Sequence, residues 1–132
     1  MRKISIKTII SILSAKFTLF LTKTILKGGT TFPGRVALKI DKNILSKISK
    51  GYKVILVTGT NGKTTTVTLI YEILKAQYEH VHFAGNIGKP LCDVVLENNL
   101  LEEENHYIVI EMSNFQLLDI DKFRPEISTV IN

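Results

Sequence analysis

The sequence predicts an α/β domain, a parallel sheet with helices on both faces, preceded by an N-terminal amphipathic helix. Three observations carry this. From Gly51 onward, strand-like and helix-like segments alternate: KVILV, TTTVTLIYEILKAQ, HVHFA, LCDVVLENNLL, HYIVIEM and ISTVIN. The first of these, after its lysine, is wholly apolar, as a buried strand requires. At the corner that follows, VTGTNGKTTT (57–66) crowds glycine, threonine and lysine where a strand gives way to a helix.

The elements divide the chain into 1–27, an N-terminal helix; 28–52, a lead-in strand and helix; and 53–132, the α/β unit. In the first part, Ile6, Ile9, Ile10, Leu13, Phe17, Phe20 and Leu21 share one broad helical face, opposite Ser11, Ser14, Thr18 and Thr22. Lys7, Lys16 and Lys23 interrupt the run, which disfavours a membrane-spanning helix. MRK ahead of an apolar stretch also fits a signal peptide, but Lys7 and Lys16 cut that stretch short. A helix lying on a membrane surface and a helix packed on its own domain remain. KGGTTFPGR (27–35) reads as a turn-rich break. RVALKI alternates like a short strand, with Val36, Leu38 and Ile40 on one side. Asp41 can cap a helix DKNILSKIS whose stripe is Ile44, Leu45 and Ile48, ended by Gly51. In the next helix Leu69, Ile70, Ile73 and Leu74 are expected to point inward. GNIGKP reads as a loop, and SNFQLLDI as a loop or short helix.

Composition narrows the function classes. The chain has 132 residues, 45% hydrophobic and 22% charged, enough for one modest domain with a real core. Net charge is +5, and the basic excess lies mostly near the N-terminus. Aromatics are not interleaved with those charges, so no nucleic-acid module is indicated. An acidic membrane surface, an anionic ligand and a plain solvated face all fit the excess. Cys92 is the single cysteine, which excludes an internal disulfide and a cysteine zinc site and suits a reducing, cytoplasmic setting. His80, His82 and His106 lack metalloprotease spacing and read as surface or strand residues.

The chemistry concentrates at Gly62-Lys63-Thr64, the core of a P-loop, which makes the sheet P-loop-type. Backbone N–H groups must turn inward around a phosphate, so side chains must be small and glycine must supply unusual dihedrals. The following helix presents its positive end to the same anion. Lys63 can reach the terminal phosphates, and Thr64 can place its hydroxyl on Mg2+. One departure is plain: where the general GxxxxGK[ST] pattern begins with glycine, this chain has Val57. An acidic partner is needed for the metal, and IVIEMS supplies Glu111 where a strand emerges beside the loop. GNIG (85–88) lets the backbone approach something closely around Asn86; a plain turn fits it equally.

TGTNGKTTT resembles the ATP-binding loop of the Mur ligases, the amide ligases of peptidoglycan biosynthesis. GNIGKPL and VIEMSNFQL are similar to two further motifs best known in the MurD type, which adds D-glutamate, and PEISTVIN looks like the strand after them. GGTTFPGRVALKIDKNIL instead resembles the opening of the MurT type, the ligase subunit of lipid II isoglutaminyl synthase. The resemblance implies that Thr60, Asn61, Gly62, Lys63, Thr64 and Thr65 hold ATP, that Thr64 and Glu111 bind Mg2+, that Lys63 and Glu111 serve catalysis, and that Asn86 sits near substrate or metal. It implies activation of a carboxylate by ATP as an acyl phosphate, which an amine or ammonia then attacks. The reading favoured on sequence is MurT-like amidation of the D-glutamate carboxylate of lipid II, with a glutaminase partner. The alternatives are MurD-like joining of D-glutamate to a UDP-muramoyl-alanine precursor and a nucleotide-binding module without turnover. A cytoplasmic location follows, at the inner face of the membrane if the N-terminal helix binds lipid. The family's catalytic histidine, modified lysine and C-terminal domain are expected beyond Asn132, so the chain reads as a fragment inactive by itself.

Overall fold

The computed structural model describes residues 5–25, 31–98, 100, 105–118 and 120–132, and of Lys23, Ile25 and Thr31 the backbone alone. Three helices lead: α1 (Ile6–Ile25), α2 (Thr31–Ile40) and α3 (Ile44–Ile48). They are followed by β1 (Lys53–Gly59), α4 (Lys63–Lys75), β2 (Val81–Gly85), α5 (Leu91–Glu97), β3 (Tyr107–Glu111), α6 (Asn114–Leu117) and β4 (Ile127–Ile131). The strands form one parallel sheet in the order β2-β3-β1-β4. Strand alternation assigns its two faces. Val54, Leu56, Ala84, Ile108 and Ile110 join the larger core with residues of α1, α2, α3 and α5. Ile55, Val57 and Val109 pack with Val67 of α4. Helices thus cover both faces, as the alternation of segments predicts.

Three expectations are corrected. RVALKI is not a strand, and Pro33 and Gly34 do not break the chain: both lie inside α2. Pro33 occupies the first turn, where a missing N–H costs nothing. Pro33, Ala37 and Leu38 are buried at helical spacing, and this period overrides the short alternation of Val36, Leu38 and Ile40. The remainder of the expected break, residues 27–30, lies outside the described residues. In α4 the inward stripe is Val67, Ile70, Tyr71 and Leu74, whereas Leu69 and Ile73 are exposed. The stripe begins at Val67, two residues earlier than expected, where the side chain is fully buried against Ile55, Val57 and Val109 of the sheet.

For α1 the sequence leaves two placements open, on a membrane surface and on its own domain. A helix packed on its own domain normally turns its apolar face inward. Here Thr8, Ser11, Ile12, Ala15, Leu19 and Thr22 are buried, while Ile6, Ile9, Ile10, Leu13, Phe17 and Phe20 stand exposed. Small residues allow the close approach: Ser11 Oγ donates to the Ala37 carbonyl of α2 at 2.7 Å. Thr8 Oγ1 donates to Asp41 Oδ2 at 2.9 Å, and Lys47 Nζ of α3 reaches the same oxygen at 2.7 Å. Burial works to raise the Asp41 carboxyl, but the bonds from Lys47, Thr8 and the Asn43 amide outweigh it and hold it below its ordinary value. The third correction is the α3 cap, which is Asn43, two residues after the expected Asp41. Ile44 and Ile48 are buried as expected, and Gly51 follows at φ 85°.

Candidate active site

Parallel strands all release their chains at one end of the sheet, and the predicted residues gather there. Register sets their levels: Val57 of β1 pairs with Glu111 of β3, Gly85 of β2 pairs with Glu111, and Gly59 pairs with Ile131 of β4. Two glycines are required by these approaches. Gly59 has φ 127°, and a Cβ there would lie 1.7 Å from the Ile131 carbonyl oxygen. Gly85 has φ 118°, and its Cβ would lie 2.0 Å from the Glu111 carbonyl oxygen.

The 57–66 corner folds as a loop cradling the start of α4. Gly62 caps the helix in the left-handed region, at φ 76°. The first intrahelical bond runs from the Thr66 amide to the Gly62 carbonyl at 3.0 Å. The amides of Lys63, Thr64 and Thr65 therefore stand ahead of it, at the positive end of the helix. Lys63 Nζ folds back to donate to the Gly59 and Thr60 carbonyls, both at 2.9 Å. Thr60, Asn61, Thr64 and Thr65 are exposed around it.

Glu111 arrives from the neighbouring strand. Alternation along β3 puts it on the same face as Val109, the face that α4 covers. Its carboxylate is buried, 5% exposed, and Oε2 accepts a hydrogen bond from Thr64 Oγ1 at 3.0 Å. The two residues expected to share a metal, 47 positions apart in sequence, are thus in contact. A hydroxyl and a carboxylate are hard oxygen donors, and this pair fits Mg2+. Asn86 is close by: its amide donates to the Glu111 carbonyl at 3.1 Å, and its side chain donates to Ser113 Oγ.

Sequence reasoning gave Ser113, Asn114 and Thr58 no separate role. Thr58 Oγ1 donates to Asn114 Oδ1 at 2.8 Å, tying β1 to the turn after β3. Ser113 begins α6 with a reciprocal cap in which its amide donates to Gln116 Oε1 at 2.7 Å. The S-x-x-Q spacing in SNFQ was the available signal. A small cavity of about 70 Å³ opens behind the site, with Leu19, Pro33, Leu91, Met112 and Glu111 in its wall.

The histidines gather at the other end of the strands. His82 Nε2 and His106 Nδ1 lie 3.0 Å apart, and the His80 ring stacks at a tilt 4.8 Å from that of His106. Burial, then the nearby His106 and His80, push the His82 pKa below its ordinary value. Among the described residues no group of three His, Cys, Asp or Glu is arranged to hold a metal. Cys92 is buried, and burial pushes its thiol up to about 11, so it is unreactive at neutral pH.

Comparison with known proteins settles the family. The Mur ligase middle domain matches residues 57–132. The chain belongs to the Mur ligase family. It is 50% identical over 76 residues to the UDP-N-acetylmuramoylalanine--D-glutamate ligase of Geobacillus kaustophilus, covering 58% of this chain and 16% of that protein. The Bacillus subtilis enzyme of the same name is 48% identical over 80 residues, 61% of this chain and 17% of that protein. The Aquifex aeolicus enzyme of that name is 43% identical over 101 residues, 73% of this chain and 23% of that protein. The chain therefore spans about a fifth of the length of the curated relatives it matches. Their names agree with the MurD-like alternative rather than with the MurT-like reading favoured on sequence.

Proposed function

We propose that this chain supplies the ATP- and Mg2+-binding part of a MurD-like ligase joining D-glutamate to UDP-N-acetylmuramoyl-alanine. The observation that carries it is the Thr64–Glu111 contact at 3.0 Å, which couples the phosphate loop to a buried acid one strand away. The identity to D-glutamate ligases supports this choice of substrates. Lys63 and the amides of residues 63–65 hold the triphosphate, with Thr60, Asn61 and Gly62 shaping the loop. Thr64 and Glu111 would hold Mg2+, which supplies positive charge against the repulsion between phosphate and carboxylate. A carboxylate oxygen attacks the γ-phosphorus, ADP leaves, and an acyl phosphate forms. The amine nitrogen of D-glutamate then attacks the acyl carbon, the C–O bond to phosphate breaks, and the amine proton is lost to a base. Asn86, held beside Glu111, borders this space. A cytoplasmic location goes with this reading, because ATP is supplied there.

The second reading, amidation of lipid II with nitrogen from a glutaminase, rests on the MurT likeness of GGTTFPGRVALKIDKNIL (28–45). Its described part, residues 31–45, contains α2 and the start of α3, with Ala37, Leu38 and Ile44 in the core. The deciding experiment assays the full-length gene product for ADP release. The expected result is release that requires both UDP-N-acetylmuramoyl-alanine and D-glutamate. Release that requires lipid II and ammonia instead would establish the second reading. ATP binding without release under either condition would reduce the protein to a nucleotide-binding module.

A further inference from the structure

The outward face of α1 has no role in the nucleotide site. Ile6, Ile9, Ile10, Leu13, Phe17 and Phe20 are all 45% exposed or more, with Ile6 at 77% and both phenylalanines at 65%. Six large apolar side chains on one helical face form a contiguous patch of the kind that marks an interaction surface. The helix holds this face outward while burying Thr8, Ser11 and Thr22, so exposure of the apolar side is built into its packing.

Charge says what covers it. At 3.6 residues per turn, Lys7 and Lys16 fall on opposite borders of the apolar face, and both are exposed. No acidic residue occurs in α1 or α2. The first acid in the chain, Asp41, is buried and paired with Lys47. Arg35, Lys39, Lys42 and Lys47 are exposed, so the described surface of α1–α3 carries only positive charge. A nucleic acid would use the cations and leave the isoleucines and phenylalanines in water. An apolar protein groove would not need the flanking lysines. Apolar residues bordered by cations match the acyl chains and headgroups of an anionic bilayer. Among the described residues no helix is long and apolar enough to cross a membrane, so α1 lies on the surface rather than through it.

The structure assigns the outward face of α1 as an anionic-membrane docking surface, with Phe17 and Phe20 inserted among the acyl chains and Lys7 and Lys16 at the headgroups. This does not depend on which amide the ligase forms.

The test is co-sedimentation of the 132-residue chain, and of the full-length gene product, with vesicles of phosphatidylglycerol and phosphatidylcholine or of phosphatidylcholine alone. Expected is binding to the anionic vesicles that falls with salt, with little binding to the neutral ones. Lys7→Gln and Lys16→Gln should each weaken it about fivefold. Phe17→Ser and Phe20→Ser should each weaken it at least about tenfold. These side chains are exposed, so circular dichroism should show the fold unchanged. Four results would overturn the assignment: no sedimentation with anionic vesicles; equal binding to neutral vesicles; binding by the chain but not by the full-length product, which would mean that the rest of the protein covers α1; or a dimer by light scattering that Phe17→Ser dissolves, which would make the face a contact between copies.

Discussion

Replacing Lys63 with alanine separates a structural role from a ligand role. The ammonium bridges the Gly59 and Thr60 carbonyls at 2.9 Å each. Hydrogen bonds to a charged group contribute about 1.5–3 kcal/mol when buried. Lys63 is only half-buried and Thr60 is exposed, so water can replace the ammonium at the loop. The loss to folding stability should therefore stay below about 1 kcal/mol. Nucleotide binding is different. On the proposed reading, the same ammonium meets the terminal phosphates in a site that the ligand itself closes to water. Truncating one partner of a desolvated charge pair costs about 2–5 kcal/mol. Some of that is offset because the lysine no longer has to leave two carbonyls. A net loss of about 2–4 kcal/mol corresponds to about 30- to 900-fold in affinity. Calorimetric titration with MgATP measures this, alongside urea unfolding of the same variant. Affinity within about threefold of the parent, with the fold intact, would refute the assignment of Lys63 to the phosphates. Comparable losses in affinity and in stability would show that the lysine acts by holding the loop together.

Three further outcomes follow from the geometry. Glu111→Gln keeps the shape and the acceptor for Thr64 but removes the negative charge, so it should weaken Mg2+-dependent nucleotide binding about tenfold or more while leaving Mg2+-free binding nearly unchanged, as titrations with and without the metal will read. Gly59→Ala should destabilise the fold by about 3 kcal/mol or more, a large part of an ordinary domain's stability, because its methyl group would displace the Ile131 carbonyl and with it the β1–β4 pairing; urea midpoints test this. The His82 pKa is lowered on folding, so the unfolded chain takes up the proton first and stability should fall as pH drops through the ordinary value of 6.5; His82→Gln should flatten that dependence in melts between pH 7.5 and 5.5.

The α/β unit was legible because its signals are local and mutually consistent. Each strand is a short run rich in apolar residues, glycines mark the loops after β1 and β2, and β1, β2, β3 and β4 stand where the runs predict them. The lead-in was less legible because two periods compete over six residues. Val36, Leu38 and Ile40 alternate, yet the buried set is Pro33, Ala37 and Leu38. A window that short cannot separate a period of 2 from one of 3.6, and the neighbouring helix decides. The placement of α1 was left open for a related reason. Periodicity locates the apolar side of a helix but not what lies against it, and Ser11 and Ala15 gain closeness to α2 that the larger side chains would prevent.

The site was legible in its parts but not in its joints. Lys63 and Thr64 are recognisable from one turn of sequence, and Glu111 from its place at a strand end. Their meeting requires a fact that no local window contains, that β3 lies directly beside β1 with Val57 opposite Glu111. Given that register, strand alternation turns Glu111 toward α4, and the first turn of α4 brings Thr64 to it at 3.0 Å. The same register puts Gly85 against the Glu111 backbone, where any side chain would collide, and so places Asn86 beside the acid. If Thr64 and Glu111 hold Mg2+ as proposed, the hydrogen bond between them has a definite consequence for its binding. It holds the two oxygens together before a cation arrives, so little conformational freedom is left to lose on coordination. A Thr64→Val variant would lose both the ligand and this preorganisation. A Thr64→Ser variant would keep the ligand and lose only the stiffness of the branched side chain. The gap between their Mg2+ affinities measures what the hydroxyl itself contributes.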